Sequence, residues 1–350
     1  MTSDLRERVE AALRDFVCSA VAELDEIGDE LRPLTAAAAA FVLGGGKRLR
    51  PAFCYWGARA VGAPDSDAIV RAAASLELLQ ACALVHDDVI DRSAIRRGKP
   101  SVHEQFGVLH RERDWAGDAT GFGVAGAILL GDLFLVWSDA MFAVSGVGEA
   151  ALARARPIGN AMRAELMAGQ YLDVVEQARG GGSVPRALRV ARYKAAKYTV
   201  ERPLHLGAAL GGGPPVAFDA LSAYGLPLGE AFQLRDDLLG VFGDPEVTGK
   251  PAGDDLREGK RTVLIALTVE AATSAECEAL QRHLGDPDLD DAAIELVRDI
   301  VTTGGAAASV EAMIADLVEA AVAALTGADL EPVATEALIS LAGAATRRSD

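Results

Sequence analysis

Two long stretches of this chain, residues 66–92 and 216–242, are apolar on more than one helical face, and each runs into carboxylates. The first ends in Asp87-Asp88-Val89-Ile90-Asp91; the second carries Asp236-Asp237 ahead of Leu238-Leu239-Gly240. A helix that is apolar all round belongs among other helices, so two of them define a bundle with a buried interior and a polar mouth. Carboxylates at the end of such a helix are costly unless something cationic neutralises them. A divalent metal bound to a diphosphate would do so.

The rest of the chain agrees with a helical bundle. Apolar residues recur at helical spacing nearly everywhere, and no alternating strand pattern lasts more than a few residues. The pattern predicts helices near 4–28, 30–43, 48–61, 66–92, 101–110, 119–146, 149–177, 185–210, 216–242, 261–283, 290–303, 306–325 and 331–346. Aromatic residues make up only 5% of the chain, which favours helix over sheet. Glycine breaks such as Gly44-Gly45-Gly46, Gly180-Gly181-Gly182 and Gly211-Gly212-Gly213 read as inter-helix loops. The expectation is an all-α fold and one domain over 1–350.

Charge narrows the function. A net charge of −17 gives no basic field for nucleic acid and no broad attraction to anionic membrane. Cys18, Cys54, Cys82 and Cys277 have no paired spacing and are expected to be free thiols. Residues 1–16 alternate charges as an amphipathic helix, not a signal peptide. The longest uncharged run, Pro203–Phe218, is broken by glycine and proline, so no transmembrane segment is expected. The protein is expected to be soluble and cytoplasmic.

In so acidic a chain, compact basic spots stand out. Gly45-Gly46-Lys47-Arg48-Leu49-Arg50 is a glycine loop with three cations. Arg96-Arg97-Gly98-Lys99 follows the first acidic cluster, and Gly249-Lys250 and Gly259-Lys260-Arg261 follow the second. Lys194 and Lys197 lie on a helix between. Such spots suit phosphate. Asp87 and Asp91 share a helical face, and magnesium would turn their repulsion into binding. No Ser-His-Asp or Cys-His signature points to an enzyme nucleophile; His86 and His103 read as hydrogen-bonded groups.

These residues resemble the trans-isoprenyl diphosphate synthases, the polyprenyl synthetase family. His86-Asp87-Asp88-Val89-Ile90-Asp91 with Arg96-Arg97-Gly98-Lys99-Pro100 looks like that family's first aspartate-rich region. Phe232-Gln233-Leu234-Arg235-Asp236-Asp237, with Gly249-Lys250 and Gly259-Lys260-Arg261-Thr262, looks like the second. Gly45 to Pro51 is similar to its isopentenyl diphosphate loop, and the motifs keep family order over 45–262.

The resemblance implies an antiparallel bundle around a deep apolar cavity. It implies a homodimeric prenyltransferase that joins isopentenyl diphosphate to an allylic diphosphate (dimethylallyl, geranyl or farnesyl). Asp87, Asp91 and Asp236, with Asp88 and Asp237 in support, would hold about three magnesium ions on the substrate diphosphate. Arg96, Lys194, Gln233, Lys250 and Lys260 would hold the allylic diphosphate; Lys47, Arg50, Gln80 and Arg97 would hold isopentenyl diphosphate.

Two positions depart from the family pattern. Gly240 stands where a third carboxylate is usual, with Asp244 nearby, and Lys194-Ala195 lacks a hydroxyl. Cys82 and Ala83 lie about 6–8 Å below Asp87 along the helix, and Leu79 about 12 Å below. In the family, aromatic residues at the upper two positions imply C15 products. Small ones with bulk beneath, at Leu79 or at Phe134 or Trp137, favour geranylgeranyl diphosphate (C20), with C15 and C25 open. Phe at position 82 is expected to shorten the product. A class I terpene cyclase and a non-catalytic regulatory subunit are the other readings. The first would have no use for Lys47 and Arg50; the second would lack an intact first cluster.

Overall fold

The computed structural model describes residues 3–244 and 253–346. Sixteen α-helices are found among them: α1 Ser3–Asp25, α2 Arg32–Leu43, α3 Leu49–Ala60, α4 Asp67–Asp91, α5 Val102–Glu112, α6 Ala119–Ala143, α7 Glu149–Arg179, α8 Val184–Val190, α9 Arg202–Gly211, α10 Pro215–Phe242, α11 Asp254–Arg257, α12 Val263–Ala271, α13 Ser274–His283, α14 Asp291–Thr303, α15 Ala306–Thr326 and α16 Pro332–Thr346. The all-α expectation holds.

α4 and α10 are the central helices. α4 starts at Ser66, whose hydroxyl accepts from the Ile69 amide, and stops at Arg92, which takes a left-handed backbone (φ 57°). Between those ends it buries Ile69, Val70, Leu76, Leu78, Leu79 and Val85. α10 belongs to two cores at once. Its Leu221, Tyr224, Leu228 and Phe232 belong to the same buried core as α1–α4 and α6, which α10 reaches through the π-helical run and α9. Its Ala231, Leu234, Leu238 and Val241 pack with α12, α14 and α15.

Three departures from the sequence expectation are local. The stretch predicted as one helix over 185–210 changes register, with a π-helical run, Ala191–Glu201, between α8 and α9. There the Arg202 amide reaches back to the Lys197 carbonyl. Pro203, which has no N–H and crowds the turn before it, favours that wider winding. The stretch predicted over 261–283 breaks at Thr273, which forms a reciprocal capping box with Glu276. Residues 95–100 form a two-strand hairpin, Ile95–Arg96 against Lys99–Pro100. Its turn residues Arg97 and Gly98 both have positive φ (54° and 70°), as a tight hairpin requires.

Two helices, α4 and α6, are long and apolar enough to cross a membrane by length and composition. The apolar window of α4 is 72% buried, so α4 is a core helix. That of α6 is 28% buried. The run Pro203–Phe218 is no span: it holds α9, a glycine break and the start of α10.

Candidate active site

The ends of α4 and α10, the π-helical run and the 254–262 segment surround a cavity of about 470 Å³. On α4 the lining residues are Gln80, Ala83, Leu84 and Asp87, one face of a 3.6-residue helix. From α8 and the π-helical run come Ala187, Val190, Ala191, Lys194, Ala195, Tyr198 and Thr199, recurring every four residues as the wider turn dictates. α10 adds Phe232, Gln233, Asp236, Asp237, Leu239 and Gly240; the segment after it adds Asp254, Asp255, Lys260 and Arg261. Lys47 enters from the glycine loop and Arg50 from the first turn of α3.

The acidic clusters are held by cations. Lys194 Nζ lies 3.1 Å from Asp87 Oδ1 and 2.6 Å from Asp173 Oδ2. Gln170 Nε2 donates to the same Asp87 oxygen at 3.0 Å. Gly169 makes this possible: a Cβ there would collide with the Lys194 backbone, so α7 and the π-helical run touch main chain to main chain. The hairpin turns Arg96 back over the first cluster, where Nε and Nη2 both donate to Asp88 Oδ1. Lys260 Nζ stands 3.3 Å from Asp91 Oδ2 and 3.4 Å from Asp255 Oδ1, and also pairs with Glu258.

Burial pushes Asp87 up, but Lys194, Lys260 and Arg96 outweigh it and hold its carboxyl well below the usual range. Asp91 is pushed up to about 6 by burial and by the charge of Asp87. Burial, with the charges of Asp255 and Asp236, lifts Asp237 to about 8 against the hydrogen bond it accepts from Gln233 Nε2 at 2.7 Å. Burial would lower Lys194 and Lys260, but the surrounding carboxylates hold both above the ordinary lysine value.

This donor set fits magnesium. The Asp91 carboxylate is 1% exposed, and neither oxygen accepts a hydrogen bond. Among the described residues no three carboxylate, histidine or cysteine side chains converge as a ready-made metal cage. Donors on separate walls suit an ion that keeps waters and completes its shell with substrate phosphate oxygens.

Most residues singled out from the sequence meet at this cavity: Lys47, Arg50, Gln80, Ala83, Asp87, Arg96, Lys194, Gln233, Asp236, Asp237 and Lys260. Asp88 and Asp91 stand just behind, paired with Arg96 and Lys260. Arg97 stays beside the glycine loop, donating to the Gly45 carbonyl at 3.1 Å. Lys250 lies outside the described residues.

Others turn elsewhere. Arg48 is buried and bonded to Glu10, Glu77 and the Val42 carbonyl, so it shapes the loop and leaves Lys47 and Arg50 to face the cavity. Lys197 pairs with Glu165 and Glu201. Cys82 is off the wall, in the core with Phe134 and Trp137, its Sγ 3.8 Å from His86 Nδ1. Leu79 lies one layer behind the wall, packed with Leu166 and Tyr198. Phe134 and Trp137 pack on each other, on Phe41 and on Phe16.

Gln170, Asp173, Tyr198, Thr199 and Asp255 line the site without having been singled out for a role. Gln170 and Asp173, three apart on one helix face, were a readable signal. Tyr198 donates to Gln80 Oε1 at 2.9 Å, and its ring lies 4.4 Å under Arg50. Arg50 also donates to Thr199 Oγ1 at 2.8 Å.

An all-α bundle whose cavity joins carboxylates of two acidic clusters, a ring of cations and an apolar wall is built to handle organic diphosphates. The chain matches the Polyprenyl synthetase family over residues 32–301 and belongs to it; it is a prenyltransferase. It is 35% identical over 263 residues to a (2E,6E)-farnesyl diphosphate synthase of Mycobacterium tuberculosis, covering 74% of this chain and 68% of the relative. A geranylgeranyl diphosphate synthase of the same organism is 32% identical, with 82% and 77% covered. The crystal structure of a geranylgeranyl pyrophosphate synthase from Corynebacterium glutamicum, complexed with isoprenyl diphosphate and magnesium, superposes with a TM-score of 0.95 at 42% identity, over 98% of each chain.

Proposed function

We propose that this chain condenses isopentenyl diphosphate head-to-tail with an allylic diphosphate and releases geranylgeranyl diphosphate, C20. The observation that carries the reading is the α4 wall. It runs from Asp87 at the mouth through Leu84 and Ala83, with the fully buried Leu79 one layer behind. A small residue one turn below the carboxylate leaves room for a chain longer than C15, and Leu79 backs the lower end.

Magnesium, when bound, neutralises the leaving diphosphate so that the allylic C–O bond can ionise. Asp87, Asp91 and Asp236 would hold it, with Asp88 and Asp237 in support and about three ions in all. Lys194, Arg96, Gln233, Lys260 and Lys250 hold the allylic diphosphate and keep its charge from returning. Lys47, Arg50, Gln80 and Arg97 hold isopentenyl diphosphate so that its double bond faces the allylic carbon. Ala83, Leu84, Leu166 and Phe232 keep water from the allylic cation. The proton lost at the end leaves with the departed diphosphate.

Lys47 and Arg50 beside the same cavity favour a two-substrate synthase over a cyclase, and the intact first cluster favours catalysis over a regulatory role. α10, shared by both cores, supports one catalytic domain over 1–350. The reading includes a homodimer in the cytoplasm, the latter checked by cell fractionation. Purified protein given magnesium, isopentenyl diphosphate and dimethylallyl, geranyl or farnesyl diphosphate should yield C20 by mass spectrometry. A dominant C15 or C25 product would overturn the length; no product from homogeneous protein would overturn the synthase reading.

A further inference from the structure

We propose that Asp255 supplies the carboxylate that α10 lacks at position 240, reaching into the second acidic cluster from the segment that follows it. Gly240 lies four residues after Asp236, the spacing that separates Asp87 from Asp91 on α4. A side chain at 240 would therefore share the face of Asp236 and point into the cavity. Glycine leaves that place open, and the structure fills it. A Cβ built on Gly240 would overlap the Asp255 carboxylate, meeting Oδ2 first and Cγ next. Both residues line the cavity.

The Asp255 carboxylate thus takes the position of a side chain on the helix. Its other oxygen, Oδ1, is 3.4 Å from Lys260 Nζ, the ammonium that also touches Asp91 of the first cluster. The two carboxylates stand on either side of one cation, as groups that share a bridging charge must. Asp244, the nearest acid in sequence after Asp237, does not line the cavity. Gly240 is then a requirement and not a loss: only a residue without a side chain admits Asp255.

The proposal rests on the magnesium-diphosphate reading, and its test separates the two. Magnesium with inorganic diphosphate is titrated into the full-length protein by calorimetry, with no turnover involved. Wild-type protein should bind. Asp255→Asn, which keeps an acceptor for Lys260, should weaken magnesium by about 10–100-fold. Gly240→Ala, which displaces Asp255 without removing it, should do the same. Gly240→Asp combined with Asp255→Ala should recover most of the affinity, because the carboxylate returns to the same place from the helix.

Absence of binding by the wild type would sink the underlying reading. Wild-type affinity in Asp255→Asn or in Gly240→Ala would sink the role of Asp255 alone. If Asp255→Asn does not fold, Gly240→Ala and the double variant decide. Failure of the double variant to bind better than Gly240→Ala would count against the exchange.

Discussion

The cations around this cavity divide into those that face it and those that hold it together, and composition alone does not separate them. Arg48 and Arg50 are two residues apart where the glycine loop enters α3. Yet Arg48 is locked between Glu10 and Glu77, while Arg50 faces the cavity over Tyr198. The difference lies in partners from α1 and α4, distant in sequence. Arg96 does both jobs, since its partner Asp88 is 1% exposed. Arg96→Ala strips a buried carboxylate of its guanidinium and should cost about 3–5 kcal/mol of stability. Thermal and urea unfolding of the apo-protein would measure it; a change within error would mean that other groups stabilise Asp88. The buried carboxyls also set a pH dependence. Asp91 and Asp237, raised to about 6 and about 8, bind protons more tightly folded than unfolded. Their contribution to stability is full below the ordinary carboxylate value and is lost as pH rises through 6 and then 8. Asp87, held low, contributes above the ordinary value and loses this only in strong acid. In EDTA, the melting temperature should therefore fall between pH 5 and pH 9, and Asp237→Asn should flatten the upper half of that fall. A melting temperature that rises over this range, or an Asn variant with the wild-type slope, would contradict the assignment.

At the scale of elements, helical periodicity carried most of what the sequence disclosed. The α4 and α10 stretches were readable because apolar residues surround them and end in carboxylates. Other features were not readable because their causes lie in three dimensions. The π-helical run has no composition of its own; Pro203 and the close approach at Gly169 belong to its packing. The capping pair Thr273 and Glu276 was legible, and the apolar run through it concealed the break. Asp255 reaches Gly240 only once the chain has turned back. The treatment of Cys82 and Ala83 as equivalent depth markers fails on the helical wheel. Ala83, four before Asp87, shares its face; Cys82, five before, points into the core with Phe134. Ala83→Phe should therefore fill the cavity one turn below the carboxylate and shift the main product from C20 to C15. Cys82→Phe should mainly overpack the core, lowering stability by about 1–3 kcal/mol. Product mass and melting temperature, measured on both variants, distinguish wall from core. Shortening by Cys82→Phe with full stability would reverse this assignment.

At the scale of the whole molecule, α6 is the element whose surface asks for a partner. One face packs on α4 and α5, burying Ala127, Leu130, Phe134, Trp137 and Met141. The other presents Phe122, Ala125, Leu129, Val136 and Ala140 at three-, four- and seven-residue spacing, with Ile128 beside them. Leu129 and Val136 are each 62% exposed. An apolar stripe along a 25-residue helix is long for a solvated face, although two exposed acids, Asp132 and Asp139, lie along it. The same helix is long and apolar enough to cross a membrane by length and composition, so lipid and a protein partner are the two coverings to weigh. The ends decide between them. α6 starts at a hydrogen-bonded Asp118 cap and packs along its length against the α4 that carries Asp87. Pulling it into a bilayer would uncover the first acidic cluster. The proposed homodimer, with a second copy's α6 laid against this one, would cover the stripe and leave the bundle intact. Leu129→Asp with Val136→Asp should convert a dimer of about twice the chain mass into a monomer by light scattering. The monomer should keep its helical circular dichroism. Dimers that survive both aspartates, or wild-type protein that runs as a monomer without detergent, would rule this interface out.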